Sequence, residues 1–117
     1  MRIVPKPWGR EVIFAENERY AGKILHIEAG HRLSLQYHER KDETIYVLEG
    51  EMQLLVDIDG EMRELTLKAG EAHRIKPGVR HRMRAESRVT IVEVSSPELD
   101  DVVRLEDAYG RAGTTEP

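Results

Sequence analysis

The stretch EMQLLVDIDGEMRELTL (Glu51 to Leu67) decides which kind of fold the chain adopts. Apolar residues recur at every second position on both sides of Asp59-Gly60; they are Met52, Leu54, Val56, Ile58, Leu65 and Leu67. A period of two is that of a β-strand with one buried face. An Asp-Gly pair between two such runs is the strongest short hairpin signal. The stretch therefore predicts two antiparallel strands joined by a two-residue turn.

The same period continues along the rest of the chain. It is carried by Leu25 and Ile27 in KILHIEAG, and by Val89, Ile91 and Glu93 in RVTIVEV. Turn signals separate the runs, at Ala29-Gly30, Glu49-Gly50, Ala69-Gly70 and Pro77-Gly78. Short strands at intervals of roughly ten residues predict an all-β sandwich or small barrel. PELDDVVRLEDAYG (Pro97 to Gly110) is the one stretch whose pattern permits a short helix, and RAGTTEP after it reads as a frayed tail.

Composition limits the classes of function. A chain of 117 residues fits one domain. There is no long apolar run and no signal-peptide pattern, so we expect neither a membrane span nor a membrane partner. The absence of cysteine rules out disulfides and fits a cytoplasmic protein. A net charge of −4 argues against a nucleic-acid partner, whereas the basic cluster HRIKPGVRHRMR (His73 to Arg84) suits a small anionic ligand.

Four side chains form a candidate metal site. Gln36 and His38 project from the same face of a predicted strand, and Glu43 follows a bend at ERKD. His81 begins the strand after the Pro77-Gly78 turn. A mixed nitrogen and oxygen set with open positions suits one divalent ion, Zn²⁺, Mn²⁺, Fe²⁺ or Ni²⁺, rather than Mg²⁺ or Ca²⁺. A Gln and a His on one strand face are more often ordinary surface or core residues, so the prediction depends on all four placements agreeing.

These segments resemble the two signature segments of the cupin superfamily. In AGHRLSLQYHERKDETIYVLEGE the matching positions are Gly30, Gln36, His38, Glu43 and Gly50. In AGEAHRIKPGVRHR they are Gly70, Pro77-Gly78 and His81. The first metal histidine of the family is Gln36 here, a pattern similar to that of phosphomannose isomerases. The family usually has a His-rich run with an Arg between the His and Glu ligands. Here Glu39, Arg40 and Lys41 stand before Glu43 instead.

The resemblance narrows to the C-terminal cupin domain of type II phosphomannose isomerases. It is carried by KPWGREVIF (Lys6 to Phe14), LSLQYH (Leu33 to His38) and EVSSPELDDVVRLEDAYGR (Glu93 to Arg111). It implies a double-stranded β-helix, a jelly-roll-like cupin barrel, over residues 1–111, with a flexible tail at 112–117 that follows a short C-terminal segment or helix. It also implies a bound divalent metal and a homodimer.

The activity implied by the resemblance is the interconversion of an aldose phosphate and a ketose phosphate, as in mannose-6-phosphate isomerase. The basic residues expected to bind a sugar-phosphate substrate are Lys23, Arg40, Lys41 and Arg104. No residue stands out in the sequence as the catalytic base. Two other classes stay open: a non-catalytic cupin that binds a sugar or sugar phosphate, and an iron-dependent cupin oxygenase.

Overall fold

The structure is a computed structural model and describes residues 1–110. The strands are β1 (Arg2–Lys6), β2 (Gly9–Glu16), β3 (Ala21–Ile27), β4 (Leu35–Tyr37), β5 (Glu43–Glu49), β6 (Glu51–Ile58), β7 (Glu61–Lys68), β8 (Ala72–Ile75), β9 (His81–Arg84), β10 (Val89–Ser95) and β11 (Val103–Glu106). They form a six-stranded sheet in the order β1-β2-β3-β10-β5-β8 and a five-stranded sheet in the order β11-β4-β9-β6-β7. Every pairing is antiparallel. The all-β, jelly-roll-like prediction is confirmed.

The predicted hairpin joins β6 and β7. Ile58 pairs with Glu61, which leaves Asp59 and Gly60 as the two-residue loop. Both have positive φ, 54° and 86°, as a type I′ turn requires. The strand before this turn, β6, buries its inner face completely at Met52 and Leu54. Turn chemistry and apolar period therefore specify the same register here.

The core lies between the inner faces of the two sheets. The six-stranded sheet contributes Leu25, Ile27, Ile45, Val47 and Ile91, and the five-stranded sheet contributes Met52, Leu54, Val56 and Met83. These side chains are at most 1% exposed. Burying a residue of this size stabilises a fold by about 1.5–3 kcal/mol. This apolar half of the sandwich fixes the relative position of the sheets, and the charged side chains lie in the other half.

The possible helix at Pro97 to Gly110 does not form. Val103–Glu106 is instead strand β11, in which Val103 pairs with Tyr37 and Arg104 with Gln36. The segment supplies an antiparallel partner to β4, a strand of only three residues whose other neighbour is β9. Satisfying the backbone groups of that sheet edge outweighs one or two turns of an isolated helix, which are marginal in water.

The predicted domain limit at residue 111 and the predicted tail at 112–117 lie outside the described residues. Within residues 1–110 no helix has the length and apolar character needed to cross a membrane.

Gly9 and Gly60 allow a matched test of how closely β2 packs against β3. Both have positive φ, but a Cβ added at Gly60 meets nothing within 4 Å, whereas one at Gly9 would lie 1.9 Å from the His26 carbonyl oxygen. We expect Gly60→Ala to lower the free energy of unfolding by about 1–2 kcal/mol, the cost of left-handed backbone. Gly9→Ala should cost at least twice that, because β2 must move away from β3. Urea denaturation measures both, and equal losses would contradict the close packing.

Candidate metal centre

Three predicted ligands meet where the two sheets face each other. His38 follows β4 and His81 opens β9, both in the five-stranded sheet, whereas Glu43 opens β5 in the six-stranded sheet. One ligand atom from each lies within 4.8 Å of the other two. The group therefore forms only when the sandwich closes.

The three side chains are buried and closely spaced. Glu43 Oε1 lies 3.4 Å from His38 Nε2 and 3.3 Å from His81 Nε2. His81 is fully buried, and His38 and Glu43 are 4% and 2% exposed. Water therefore has almost no access to the space between them.

The backbone determines which ring nitrogen carries the proton. His38 Nδ1 lies at hydrogen-bond distance from the Asp101 carbonyl oxygen, and His81 Nδ1 is 3.0 Å from the Val79 carbonyl oxygen. A carbonyl oxygen only accepts, so each Nδ1 must donate. In the neutral rings both Nε2 atoms then present a lone pair to Glu43. Metal-binding histidines are commonly oriented by such a hydrogen bond to the second nitrogen.

The result is three buried acceptors directed at one another. Among the described residues, His38 Nε2, His81 Nε2 and Glu43 Oε1 have no hydrogen-bond partner. A buried acceptor without a partner costs about 1–3 kcal/mol, and a proton on one ring would satisfy only part of the group. A divalent cation satisfies all three at once, and two imidazoles with a carboxylate suit Zn²⁺, Mn²⁺ or Fe²⁺. The residues present fit a metal ion.

Gln36, the fourth predicted ligand, lies beside this group. It pairs with His81 across β4 and β9, and its Oε1 accepts a hydrogen bond of 3.1 Å from Ser34 Oγ. Gln36 and His38 both line the adjoining cavity. The role of Gln36 as a metal ligand stays a prediction.

A row of buried charges of alternating sign continues from the ligands across the inner face of the six-stranded sheet. The members of this buried row are Glu43, Lys41, Glu93, Lys23 and Glu11. Lys41 Nζ lies 3.2 Å from Glu43 Oε2 and 3.0 Å from Glu93 Oε2. Glu93 pairs across strands with Lys23, whose Nζ is 3.3 Å from Glu11 Oε1. All five side chains are less than a tenth exposed. Each charge is therefore compensated by a neighbour of opposite sign, as burial requires.

This row sets the protonation of the carboxylates. Burial alone would raise the pKa of Glu43, but the Lys41 ammonium beside it holds that pKa well below its usual value. Burial and the nearby Glu43 charge raise the pKa of Glu93 above its usual value. The metal-facing carboxylate is thus kept ionised, as a ligand must be.

Asp101 fixes the loop that carries His38. Its carboxylate accepts backbone hydrogen bonds from Glu39, Arg40 and Lys41, at 3.1, 2.7 and 2.9 Å. Its carbonyl oxygen is the acceptor for His38 Nδ1. Burial acts to raise the pKa of Asp101, but these N–H donors outweigh it and lower that pKa below its usual value. One residue therefore sets both the bend and the orientation of the ring.

A cavity of about 480 Å³, counting the solvent at its mouth, opens beside the ligands. Three of the four predicted substrate-binding residues line it, namely Lys23, Lys41 and Arg104, and all three are buried. Arg40 is exposed and lies on the outer surface near Glu98 and Asp100. The structure thus brings three of these residues together and leaves Arg40 outside the cavity; substrate binding by any of them stays a prediction.

Two cavity residues, Glu11 and Glu93, were not predicted as parts of the site. Each stands in phase with buried apolar neighbours of its own strand, Glu11 with Ile13 and Glu93 with Ile91. A charged residue at an inward position of a strand was the available signal. Asp101 carried no such signal, because its partners lie about sixty residues away in the chain.

A family model for the cupin domain matches residues 23–95, which is more than half of the chain. The chain belongs to the cupin family. This cupin is 35% identical over 115 residues to the mannose-1-phosphate guanylyltransferase ManC of Salmonella typhimurium, covering 94% of the chain and 23% of that protein. It is 32% identical over 119 residues to the alginate biosynthesis protein AlgA of Pseudomonas aeruginosa, covering 97% of the chain and 24% of that protein.

Solved structures share the fold. KdgF from Halomonas sp. superposes with a TM-score of 0.69 at 23% identity, covering 81% of this chain and 84% of that one. Bacillus subtilis oxalate decarboxylase, a protein with Mn(II) centres, superposes with a TM-score of 0.77 at 18% identity, covering 90% of this chain and 30% of that one. At these identities the solved structures support the fold of the cupin alone. The chain spans about a quarter of the length of the curated relatives that it matches.

We expect the purified cupin to contain about one divalent metal ion per chain, held by the three acceptors. His81→Gln should lower that content at least tenfold, because it removes one imidazole while nearly keeping the volume. Elemental analysis after purification without added metal measures both proteins. The matched control is His26→Gln, at a histidine of β3 that lies outside the ligand group. Equal metal content in the wild type and His81→Gln would contradict the site.

We expect Asp101→Asn to reduce stability at neutral pH and much less at low pH. A carboxyl group whose pKa is depressed by folding stabilises the fold above its unfolded pKa, about 3.9, and loses this contribution as pH falls through the folded value. The difference in unfolding free energy between the wild type and the variant should therefore shrink below about pH 4. Asp100→Asn, at the exposed neighbour, should show no such dependence. A difference in unfolding free energy that stays constant across the pH range would contradict the stabilising role of the Asp101 carboxylate.

Proposed function

We propose that this cupin is a metal-dependent sugar-phosphate isomerase of the mannose-6-phosphate isomerase type. The observation that carries the proposal is the charge of the cavity beside the ligand group. Four basic side chains line it, Lys6, Lys23, Lys41 and Arg104, against two acidic ones, Glu11 and Glu93. A bound divalent cation would add to the positive balance. A cavity with this balance suits a small substrate that carries a phosphate dianion.

The residues divide between two tasks. His38, Glu43 and His81, with Gln36 as the proposed fourth ligand, would hold the metal. The metal would act as a Lewis acid that stabilises negative charge on the sugar oxygens. Arg104 would hold the phosphate, and Lys23 would contact a sugar oxygen, through charge-assisted hydrogen bonds. The buried walls, among them Trp8 and Leu25, exclude bulk water from an enediolate intermediate.

The relatives support the substrate class. ManC is a mannose-1-phosphate guanylyltransferase and AlgA is an alginate biosynthesis protein, and this chain matches about a quarter of each. A mannose phosphate is therefore the first substrate to test. A non-catalytic cupin that binds a sugar phosphate is the second candidate, because the matched region is only one part of those larger proteins. The homodimer implied by the resemblance and the cytoplasmic location that fits the absence of cysteine stay predictions.

We expect the metal-loaded protein to convert mannose 6-phosphate to fructose 6-phosphate with a kcat on the order of 1 s⁻¹ or more. Removal of metal by chelation should abolish turnover, and Mn²⁺ or Zn²⁺ should restore it. Free mannose should react with at least a hundredfold lower kcat/KM, because each charge-assisted bond to phosphate contributes about 1.5–3 kcal/mol. A coupled assay for fructose 6-phosphate measures these rates.

The alternatives give different results in the same experiment. Saturable binding of mannose 6-phosphate without turnover, by calorimetry on the metal-loaded protein, would favour the binding module. Oxygen consumption that depends on Fe²⁺ would favour the oxygenase. Neither binding nor turnover of mannose 6-phosphate would overturn the proposal.

A further inference from the structure

We propose that the Glu11 carboxylate, positioned by Lys23, is the base that moves a proton between the two reacting carbons of the substrate. This inference rests on the proposed isomerase function. An aldose–ketose isomerase needs a group that accepts a proton from one carbon and returns it to the next. The sequence offers no evident base, but the folded cavity contains one.

Glu11 and Lys23 form a pair inside the cavity. Lys23 Nζ lies 3.3 and 3.4 Å from the two carboxylate oxygens of Glu11, so a single ammonium is shared between both. The side chains are only 8% and 6% exposed. Both line the same cavity as Gln36 and His38. The pair therefore faces the substrate space from the wall formed by β2 and β3.

Burial of this charged pair has a cost in stability. Removing two charges from water costs several kcal/mol per ion, and their attraction repays this only with good geometry and further hydrogen bonds. The contacts of 3.3 and 3.4 Å are long for a charge-assisted hydrogen bond, which is usually about 2.7–2.9 Å. Replacing a buried ion pair by apolar residues of similar volume is often neutral or stabilising. A carboxylate with spare acceptor capacity, by contrast, is what a base requires.

The other carboxylates near the cavity are already engaged. Glu43 faces both imidazoles and Lys41, which is the arrangement of a metal ligand. Glu93 Oε2 lies 3.0 Å from Lys41 Nζ within the buried row. The Asp101 carboxylate accepts three backbone N–H groups. Glu11 is the carboxylate of the cavity that contacts neither the ligand group nor Lys41 in residues 1–110.

The proton transfer balances without any co-reactant. Glu11 takes the proton from C2 of the aldose; the electron pair of the C2–H bond forms the C1=C2 double bond, and the carbonyl pair moves to O1. Glu11 then returns the proton to C1, where the C1=C2 pair forms the new C1–H bond. O2 loses its hydrogen and becomes the carbonyl oxygen. Lys23 gives one proton to O1 and takes one from O2, so both residues end unchanged.

The test follows hydrogen exchange as well as turnover. Mannose 6-phosphate is converted by the metal-loaded protein in D₂O, and NMR measures deuterium at C1 of the product and at C2 of the recovered substrate. Glu11→Gln keeps the side-chain volume but removes the base. We expect kcat and deuterium incorporation to fall about a hundredfold or more, with metal content unchanged and KM within about threefold. The matched control is Glu16→Gln, at an exposed glutamate of the same strand that pairs with Arg2.

Two further variants keep the result interpretable. Glu11→Asp retains a carboxylate at a shorter reach and should recover at least tenfold more exchange than Glu11→Gln. If Glu11→Gln alone misfolds because Lys23 is left unpaired, the double variant Glu11→Gln with Lys23→Met removes the unpaired charge. That double variant should fold, bind metal and show no exchange.

The outcomes separate this inference from the function on which it rests. No turnover by the wild type would overturn both. Wild-type turnover with exchange in Glu11→Gln, or in the double variant, within about tenfold of the wild-type rate would overturn the inference alone. Exchange lost together with metal in Glu11→Gln, but retained in a metal-loaded double variant, would also overturn it.

Discussion

The burial of Glu43 is the constraint on which the rest of the site depends. Its Oε1 faces two imidazole nitrogens that present lone pairs, in a space that water hardly reaches. Leaving such a group without a cation is costly, so the arrangement persists only because neighbours supply positive charge. Lys41 supplies part of it at 3.2 Å, and a divalent metal would supply the remainder. Charge balance thus accounts for both the ligands and the lysine beside them.

The same requirement extends across the sheet. A carboxylate needs a cation, and a cation placed there needs another carboxylate, so Glu43, Lys41 and Glu93 are followed by Lys23 and Glu11. Each member projects inward from a strand, or from the bend before one, at a position that could hold an apolar side chain. The sandwich therefore has an apolar half that provides stability and a charged half that provides chemistry. Substituting one charge leaves its neighbour buried and unpaired, which costs more than the pair contributes.

The C-terminal segment completes the site from outside the two signature segments. Asp101 ties down the bend at 39–41 and orients His38, and β11 then covers the edge of β4. Arg104 enters the cavity from that strand. A segment whose sequence pattern permits a short helix thus orients one ligand and supplies one wall of the substrate space.

The sequence alone determined the strands with a period of two and the hairpin at Asp59-Gly60, because a period of two and an Asp-Gly turn are local properties of the backbone. It also indicated His38, Glu43 and His81, because they stand at the matching positions of the two cupin signature segments. It did not determine that Val103–Glu106 is a strand, because that depends on the unpaired edge of β4. Nor did it show that Glu11 and Lys23 form a pair or that Arg40 lies outside the cavity. Those facts arise only when two sheets close on each other, because burial and partner distance are properties of the packed chain and not of any local stretch.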